Sequence, residues 1–413
     1  MLTTRRRFLQ TVTAAGIGLG IRGAGPAVVE AAGSDLARRF ADLPRHFLFE
    51  YYAWYGMNPI SHWDQDRRRP PIDLASNFMP LLGAYDSASP AVLERHARWM
   101  KDAGAGGINV SWWGRGGSVD KLIPSLMDVM AAHDLKVAFH LEPYRADRAR
   151  SYADDIEYLL TEYGEKRRWD CFLLLANADG RTGPVFKSFR TIVPPTETDC
   201  HGRTSAVADY TKDDEWRRQT DRVRARFTRD FDHVTLLADS LDWGRTKAAG
   251  FDGIAVYDNY VRPEAWSAAA IACSDNDLLF SFNVNPGFDG IVQRQVAAES
   301  CYVPPVIEPE SRRVYRWSES GSANDARRAS EKRIGESFDR TIALQSHARL
   351  TNARRGFLLV YLNSFNEWHE GHQFEPMKDR KLLTADERLV GYHNPDDGGY
   401  RMRALTKKLR DVL

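Results

Sequence analysis

The sequence predicts an α/β protein, a (β/α)8 TIM barrel, from two repeating features of its 413 residues. Short apolar runs recur eight times, and most are followed by a segment with helical spacing, which indicates crossover units and a parallel sheet. Eight such strands close naturally into a barrel. The eight runs are Phe47–Tyr55, Gly107–Trp113, Lys136–Tyr144, Cys171–Asn177, Val234–Ser240, Gly253–Tyr260, Leu278–Val284 and Gly356–Phe365.

The segments with helical spacing lie between the runs and predict the outer layer of the barrel. They are Ala91–Ala103, Lys121–His133, Tyr152–Tyr163, Asp213–Phe231, Trp243–Ala249, Pro263–Cys273 and Ile334–Asn352. The alternative is an open doubly wound sheet, but no Gly-rich phosphate-binding turn follows the first run. Long loops are predicted after strands 4 and 7, at Asp179–Asp209 and Pro286–Lys332, and in a barrel such loops border the active face.

The charge balance argues against two classes of binding partner, nucleic acids and anionic membranes. The chain has 57 basic and 56 acidic residues, a net charge of +1, so no overall field would attract nucleic acid or an anionic membrane. No stretch reaches the roughly 20 apolar residues that a membrane helix needs. We therefore expect no nucleic-acid partner and no membrane partner for the mature protein. We also expect a monomer with a single barrel domain over residues 34–413.

The amino terminus has the features of a twin-arginine signal. Arg5-Arg6-Arg7-Phe8-Leu9 precedes a short glycine-rich apolar stretch, Val12 to Ile21, and small residues follow near Ala27 to Gly33. These features predict a signal peptide over residues 1–33 and a periplasmic or secreted protein in a bacterium.

The four cysteines predict neither a metal site nor a particular disulfide. Cys171, Cys200, Cys273 and Cys301 form no CxxC pair and lack zinc-type spacing. An exported protein could join some of them, but the sequence does not select among the three possible pairings. No metal and no cofactor are predicted.

The most informative segment follows the last apolar run and carries two carboxylates. In Asn363–Gly371, Glu367 and Glu370 stand three positions apart on either side of Trp368 and His369. Side chains three apart can lie on one face with Cβ atoms roughly 5–6 Å apart. Paired carboxyl groups near that separation, beside an aromatic surface, are suited to glycosidic bond cleavage.

Aromatic and polar residues are interleaved at most of the other predicted strand ends. A sugar has apolar C–H faces bordered by hydroxyl groups, so its site needs flat aromatic faces edged by hydrogen-bonding groups. The clusters are Glu50-Tyr51-Tyr52-Ala53-Trp54-Tyr55, Ser111-Trp112-Trp113-Gly114, His140-Leu141-Glu142-Pro143-Tyr144, Tyr257-Asp258-Asn259-Tyr260 and Asn283-Val284-Asn285-Pro286-Gly287. Together they predict a carbohydrate site at the carboxyl ends of the strands.

These motifs resemble glycoside hydrolase family 99, the endo-α-mannosidases and endo-α-1,2-mannanases, within the wider family 71/99-like group. The resemblance runs from about Phe49 to near the carboxyl terminus. Its markers are Tyr51-Tyr52-Ala53-Trp54-Tyr55-Gly56, Gly83-Ala84-Tyr85-Asp86-Ser87, the Ser111 and His140 clusters, Phe251-Asp252-Gly253, Pro286-Gly287 and, most specifically, Phe365-Asn366-Glu367-Trp368-His369-Glu370-Gly371 with Glu375-Pro376.

The resemblance implies a barrel that cleaves internal α-mannosidic bonds with retention. Glu367 would deprotonate the 2-hydroxyl of the sugar, which then attacks the anomeric carbon to give an epoxide-like intermediate. Glu370 would protonate the leaving oxygen and then activate water. His140 and Glu142 match a substrate-site motif of the family. The full set of expected substrate-binding residues is Tyr52, Trp54, Trp112, Trp113, His140, Glu142, Tyr144, Tyr257, Asn366, Trp368 and His369.

Two departures from the family pattern keep other functions open. The Asp179–Asp209 segment does not match, and His372 stands where Thr is more familiar. An enzyme of this fold acting on another α-linked polysaccharide such as an α-glucan is one alternative. A non-catalytic carbohydrate-binding barrel is a second. A metal hydrolase using His369, Glu370 and His372 is a third, although its histidines are three apart rather than the four that the zinc helix motif requires.

Overall fold

Eight parallel strands form the centre of the protein, in a computed structural model that describes residues 35–145, 147–257, 263–291, 301, 315 and 319–413. The predicted signal peptide lies outside the described residues and stays a prediction. The strands are β1 (Phe47–Tyr51), β2 (Gly107–Trp112), β3 (Lys136–Leu141), β4 (Thr182–Ser188), β5 (Thr235–Ala238), β6 (Gly253–Ala255), β7 (Leu279–Ser281) and β8 (Val360–Leu362).

The strands pair in chain order, and the first pairs with the last. Each strand from β1 to β6 is hydrogen-bonded in parallel to the next, and β1 also pairs with β8 in the register Phe49 to Leu362. Val284, just past β7, forms a parallel bridge with Leu362. The backbone N–H of Asn363 donates to the carbonyl oxygen of Val284 at 2.8 Å. The predicted (β/α)8 barrel is therefore confirmed.

In the part of the chain that the structure describes, each strand is followed by a helix of the outer layer. These helices are α1 (Pro90–Ala103), α2 (Ser118–Ala132), α3 (Arg148–Leu159), α4 (Asp213–Phe227), α5 (Trp243–Ala248), α6 (Trp266–Asp275), α7 (Ser320–Gln345) and α8 (Tyr400–Arg410). Their inner faces follow the helical period: Leu93, Ala97 and Met100 of α1 are all buried. No helix in the described part of the chain is long and apolar enough for a bilayer crossing.

The loops contain shorter strands, helices and turns. These elements comprise the antiparallel pairs Gly56–Met57 with Ile60–Ser61 and Thr196–Thr198 with Thr204–Ala206, the helices Thr351–Arg354 and Ala385–Val390, the π-helical turn Leu160–Glu165, and the 3-10 turns Leu43–His46, Gln65–Arg67, Pro263–Ala265 and Arg380–Leu382.

The fourth strand lies later in the chain than the sequence predicts. The run Cys171–Asn177 contributes only the short strand Leu174–Ala176, which pairs antiparallel with β4. A tight turn with Gly180 at a φ of 82° reverses the chain between them. Because β4 falls within the predicted loop Asp179–Asp209, the loop that actually follows the fourth strand covers 189–212. The predicted loop Pro286–Lys332 is also too long, since α7 begins at Ser320.

One disulfide joins the loops after β4 and β7. Cys200 and Cys301 have a Cα–Cα distance of 5.6 Å and are bonded, which selects one pairing where the sequence left three. Cys171 and Cys273 are buried free thiols. The two loops that border the carboxyl face of the barrel are thus covalently connected across 101 positions of sequence.

The side chains inside the barrel change from apolar to charged toward the carboxyl ends of the strands. Its apolar part contains Leu48, Ala138 and Val185, with further side chains from the other strands. Two residues further along β1 and β4 the inward side chains are Glu50 and Lys187, both fully buried. Alternation along a strand places i and i+2 on the same face, so polar groups begin where the strands reach their carboxyl ends.

Candidate active site

The loop after β8 is fastened to the end of β1, and this contact places the paired glutamates. The backbone N–H of Phe365 donates to the carbonyl oxygen of Glu50 at 2.8 Å. The amide side chain of Asn366 then makes two bonds to the backbone of Tyr52. Its Oδ1 accepts from the N–H at 2.8 Å and its Nδ2 donates to the carbonyl at 2.8 Å. Asn366 therefore positions the next residue, Glu367. Its two bonds to the Tyr52 backbone account for the orientation of its side chain without a ligand.

Glu367 is almost fully buried, with 3% of its surface exposed. Its own N–H donates to the hydroxyl of Ser364 at 2.8 Å, and its Oε1 accepts from the backbone N–H of His369 at 3.1 Å. Burial, together with the negative charge of Glu370, raises the pKa of the Glu367 carboxyl well above its usual value. Of the two carboxyl groups, Glu367 is therefore the one whose protonated form its surroundings favour in the ligand-free site.

Glu370 has a different environment three residues later. About 20% of its side chain is exposed, and its Oε2 accepts a hydrogen bond from the hydroxyl of Tyr257 at 2.9 Å. Nε2 of His372 lies 2.8 Å from the same oxygen. The Tyr257 hydroxyl in turn accepts from Tyr52 at 3.1 Å. The sequence prediction that Tyr52 and Tyr257 lie at one site with the glutamates is met geometrically, since both reach Glu370 through this chain.

The two carboxyl groups form a coupled pair with unequal surroundings. Since each charge disfavours the other, the pair loses its protons in two steps that belong to both residues. Glu367 is the more buried member, and Glu370 is the member that receives side-chain hydrogen bonds. One proton shared within such a pair supplies both an acid and a base, which is what hydrolysis of a glycosidic bond requires.

A buried ion pair lies beneath the site. Nζ of Lys187 is 2.6 Å from Oε1 of Glu50, while Oε2 of Glu50 contacts Nδ1 of His140 at 3.0 Å and Nδ2 of Asn109 at 3.1 Å. Burial alone would raise the pKa of Glu50, but the charges of Lys187 and His140 outweigh it and lower the pKa to about 2. Glu50 is therefore ionised, and it orients the His140 ring from below.

Glu142 stands above this network at the end of β3. Its Oε1 accepts from the hydroxyl of Ser111 at 2.8 Å and lies 3.9 Å from Nδ1 of His140. Burial raises the pKa of Glu142. Trp113 donates from Nε1 to the same Ser111 oxygen at 3.0 Å. The structure thus brings Glu142, His140 and Trp113 together at the ends of β2 and β3, as the sequence predicts.

A row of flat rings borders the glutamates. Trp54 stacks on His62 with centroids 4.5 Å apart, and its ring lies 4.7 Å from Tyr52, 6.1 Å from Trp113 and 6.5 Å from His369. Trp113 keeps 41% of its surface exposed. Burial lowers the pKa of His369 to about 4, and that of His62 likewise. Both imidazoles are therefore neutral near pH 7, and the row is an uncharged aromatic wall.

Three predicted sugar-contacting aromatics have other tasks. Trp112 is fully buried in the core and donates from Nε1 to Asp120 at 2.7 Å. Trp368 is equally buried and donates to Glu375 at 2.9 Å. Tyr144 donates its hydroxyl to Asp155 at 2.7 Å. Trp112 and Trp368 are among the residues predicted to bind substrate, but neither ring has an exposed face in this structure, so the geometry gives these two predictions no support.

Several residues of the site, or their partners, were not predicted from the sequence. Lys187 forms the buried ion pair with Glu50, His62 extends the aromatic wall, and Glu375 accepts hydrogen bonds from Trp368 and from Tyr85, the latter at 2.8 Å. Lys187 lies in a strand that the apolar pattern did not find. For Glu375 a signal existed in the Glu375-Pro376 marker, but nothing in the sequence indicated its partners.

His369 and His372 do not direct their ring nitrogens toward a common point, as ligands of one metal ion would. His369 directs Nε2 to the carbonyl oxygen of His62 at 2.8 Å, whereas His372 directs Nε2 to Glu370. Within the described ranges the cluster with ligating atoms close together is Cys200, His201 and Cys301, and both of its sulfur atoms are in the disulfide.

Trp112 and Trp113 provide a matched pair of substitutions. Trp112→Ala should lower the free energy of unfolding by about 3–5 kcal/mol, because it empties a fully buried site, while the folded variant keeps its affinity for sugars. Trp113→Ala should leave thermal unfolding nearly unchanged and weaken oligosaccharide binding. Calorimetric unfolding and binding titrations measure both. Weaker binding by a Trp112→Ala protein of native stability would reinstate the sugar contact predicted from sequence.

Lys187→Met should destabilise the protein by about 3–5 kcal/mol at pH 7, because it leaves the Glu50 carboxylate buried without its cation. In the native protein the pKa of Glu50 falls from 4.5 to about 2 on folding. Its contribution is therefore complete above about pH 4.5 and is lost as the pH falls through about 2. Urea unfolding at pH 7 and pH 3 should show the variant's deficit shrinking in acid.

The control for this experiment is the double variant Lys187→Met with Glu50→Gln. It buries no unpaired charge and should recover part of the lost stability. Equal stability of native protein and the Lys187→Met variant at pH 7 would show that the ion pair is energetically neutral.

Comparisons with known proteins agree with the geometry. Residues 44–172 match the model of Glycosyl hydrolase family 99. Glycoprotein endo-alpha-1,2-mannosidase of Mus musculus is 26% identical over 415 residues, which cover 91% of this chain and 77% of that protein. The glycoprotein endo-alpha-1,2-mannosidase-like protein of Homo sapiens is 27% identical over 366 residues, covering 81% and 69%.

Solved structures show the same fold. The GH99 endo-alpha-mannosidase from Bacteroides thetaiotaomicron, determined with bis-tris-propane, has a TM-score of 0.61 at 21% identity and covers 89% of this chain and 97% of that one. A second structure of the endo-alpha-mannosidase from that organism has a TM-score of 0.56 with the same coverage. The family model and the relatives confirm the predicted resemblance to glycoside hydrolase family 99 and support glycosidase activity, and the solved structures show the same barrel fold.

Proposed function

We propose that this protein is a retaining glycoside hydrolase that cleaves internal α-mannosidic linkages with Glu367 and Glu370. The observation that carries the proposal is the coupled carboxyl pair in the loop after β8, with one member buried and the other partly exposed. It lies at the carboxyl ends of the strands, where barrel enzymes hold their reacting groups. The relatives named endo-alpha-1,2-mannosidases support mannose as the sugar.

In the first step Glu367 acts as a base on the 2-hydroxyl of the sugar. The oxygen that loses its proton attacks the anomeric carbon and forms a 1,2-anhydro ring. The bond from the anomeric carbon to the leaving oxygen breaks, and Glu370 supplies the proton that this oxygen needs. No carboxylate becomes bonded to the sugar, so two acids on a single loop are enough.

In the second step water attacks the anomeric carbon, and Glu370 accepts its proton. The bond between the anomeric carbon and the 2-oxygen breaks, and Glu367 returns the proton to that oxygen. Each step inverts the anomeric carbon, so the product retains the configuration of the substrate. Both glutamates end in their starting protonation states.

The reactive form of the pair carries one proton, on Glu370. In the ligand-free site burial favours the opposite placement, with the proton on Glu367. A bound sugar favours the reactive placement in two ways: its 2-hydroxyl donates a hydrogen bond to an ionised Glu367, and its leaving oxygen accepts one from a protonated Glu370. Hydrogen bonds to the charged form favour ionisation, so substrate binding itself would shift the proton.

The remaining polar and aromatic residues match the needs of a sugar. The exposed face of Trp113 and the ring of Trp54 offer flat apolar surfaces to C–H faces. Glu142 can accept a hydrogen bond from a sugar hydroxyl. Nε2 of His140 is buried, has no hydrogen-bond partner within the described residues, and can bond to another hydroxyl. Nδ1 of that ring is already held by Glu50.

The proposal is tested by product analysis with native protein lacking residues 1–33, Glu370→Gln and Glu367→Gln. Incubated with α-mannan, a high-mannose glycan and α-glucans, the native protein should release short mannose oligomers. Each substitution should lower turnover by at least about 10²–10⁴-fold, the usual contribution of a general acid or base, while sugar binding persists. Chromatography with mass detection measures the products.

Other outcomes of this experiment have defined meanings. Cleavage of an α-glucan alone would keep the mechanism and assign a different specificity, determined by the loops after β4 and β7. Binding without cleavage of any substrate would favour a carbohydrate-binding barrel. A Glu370→Gln variant with more than a tenth of native turnover would rule out its role as the acid.

We also propose export through the twin-arginine pathway. The Cys200–Cys301 disulfide supports a destination outside the cytosol, because stable disulfides form in oxidising compartments. Replacing Arg5 and Arg6 by Lys should retain the full-length chain in the cytosol with both of these thiols reactive toward an alkylating reagent. Cell fractionation and mass spectrometry measure this, with Arg7→Lys as the control. Normal export of the Arg5/Arg6 variant would contradict the proposal.

A further inference from the structure

His372 lies two residues after Glu370, and its ring contacts the carboxyl group of that glutamate. Nε2 of His372 is 2.8 Å from Oε2 of Glu370. The imidazole is fully buried, between Phe288 at a centroid distance of 6.0 Å and Tyr257 at 6.1 Å. Because Tyr257 donates to the same oxygen, Oε2 of Glu370 has two side-chain partners from two different strand ends.

The other ring nitrogen indicates which tautomer is present. Nδ1 of His372 is buried and has no hydrogen-bond partner in the described part of the chain. A proton there would be a buried donor without an acceptor, which is rarer and less favourable than a buried acceptor without a donor. The proton is therefore on Nε2, and His372 donates to Glu370. An imidazolium would require both nitrogens to find acceptors.

The backbone on both sides of His372 is held in place. Nη1 of Arg401 in α8 donates to the carbonyl oxygens of Gly371 at 2.8 Å and Gln373 at 3.0 Å. Gly371 has a φ of 67°, and a Cβ there would lie 2.0 Å from the carbonyl oxygen of Asp289. The ring therefore reaches Glu370 from a fixed position, which is what a group that orients a reacting carboxyl must have.

We infer that His372 is a positioning residue for Glu370: its Nε2–H holds the carboxyl group in the orientation for proton transfer to the leaving oxygen and stabilises its ionised form. The inference rests on the proposed function, in which Glu370 is the acid. Two donors on one carboxylate oxygen favour ionisation, so His372 and Tyr257 together make Glu370 a stronger acid than burial beside a second glutamate would allow.

Other titratable groups act on the same pair and bear on its pH dependence. Glu367 and His369 lie in the same loop as Glu370, Tyr257 lies at the end of β6, and Glu142 at the end of β3 acts on Glu367 through its charge. Lys187 of β4 contacts the Tyr257 ring, Asp289 of the loop after β7 bonds to the backbone of Glu370, and Arg401 of α8 bonds to the backbone of Gly371. Of these groups, Tyr257 donates to Oε2 of Glu370, the oxygen that His372 also contacts. Removal of His372 therefore takes away one donor to that oxygen and leaves the Tyr257 hydroxyl in place.

The test compares His372→Ala with His372→Gln on two substrates. The amide nitrogen of Gln can occupy the place of Nε2, whereas Ala has no donor. On α-mannan, whose leaving sugar needs a proton, kcat/KM of the Ala variant should fall by up to about 100-fold, the effect of a misplaced catalytic group. On an α-mannobiosyl fluoride, whose leaving group needs little protonation, the loss should be much smaller. The Gln variant should stay close to native on both.

The pH profile gives a second readout. Loss of a donor to the carboxylate raises the pKa of Glu370, so the alkaline limb of kcat/KM should move to higher pH in the Ala variant and return toward its native position in the Gln variant. Equal losses on both substrates with an unmoved alkaline limb would overturn the inference and leave His372 a packing residue. Melting temperatures and circular dichroism establish that each variant is folded.

A parallel assay of Glu370→Gln distinguishes failure of the positioning role of His372 from failure of the proposed function. If that variant is inactive while His372→Ala matches native protein on both substrates, the positioning role fails and the proposed function stands. If Glu370→Gln retains activity, the proposed function fails first. If His372→Ala does not fold, His372→Asn replaces it, because its amide mimics Nδ1 rather than Nε2. Identical behaviour of the Asn and Gln variants would then overturn the inference.

Discussion

The structure of the site depends on how a water-poor barrel mouth accommodates several carboxyl groups. Moving an ionised carboxylate out of water is unfavourable unless a cation or hydrogen bonds compensate. Glu50 meets this condition through Lys187 and has its pKa lowered to about 2. Glu367, equally buried but beside a second glutamate, has its pKa raised. The neighbours of these two buried glutamates therefore shift their pKa values in opposite directions: the pKa is lowered for Glu50, which supports the site, and raised for Glu367, which belongs to the proposed reacting pair.

The alternation of side chains along strands explains why neighbouring aromatics differ in their tasks. Successive residues of β2 point to opposite faces. Trp112 therefore enters the layer between strands and helices, where it meets Asp120, while Trp113 just past the strand stays 41% exposed at the mouth. The same aromatic cluster thus contributes one residue to stability and one to the proposed sugar surface. The neutral imidazoles of His62 and His369 extend that surface without adding charge.

Much of the barrel is predictable from the sequence because buried parallel strands are continuous apolar runs, and seven of the eight runs contain the strands observed. The fourth is misplaced because β4 contains Gly183, Pro184 and Lys187, which are untypical of a buried strand, whereas Cys171–Asn177 is apolar but pairs mainly by folding back on β4. The paired glutamates are predictable from their spacing. The Lys187–Glu50 pair is not, because a cation and an anion 137 positions apart meet only once the barrel exists. The burial of Trp112 depends likewise on tertiary packing.

The attachment of Asn366 to Tyr52 joins parts of the chain that are 314 positions apart. Contacts between such distant segments form late, since the entropy of closing the intervening loop must be overcome before they contribute. The reacting glutamates are on this last segment, immediately beyond the seam where β8 meets β1. A nascent or truncated chain can therefore build most of the sheet without acquiring its acid and base. Glycosidase turnover would then report the fraction of chains that have completed folding, because partly folded chains would have no activity.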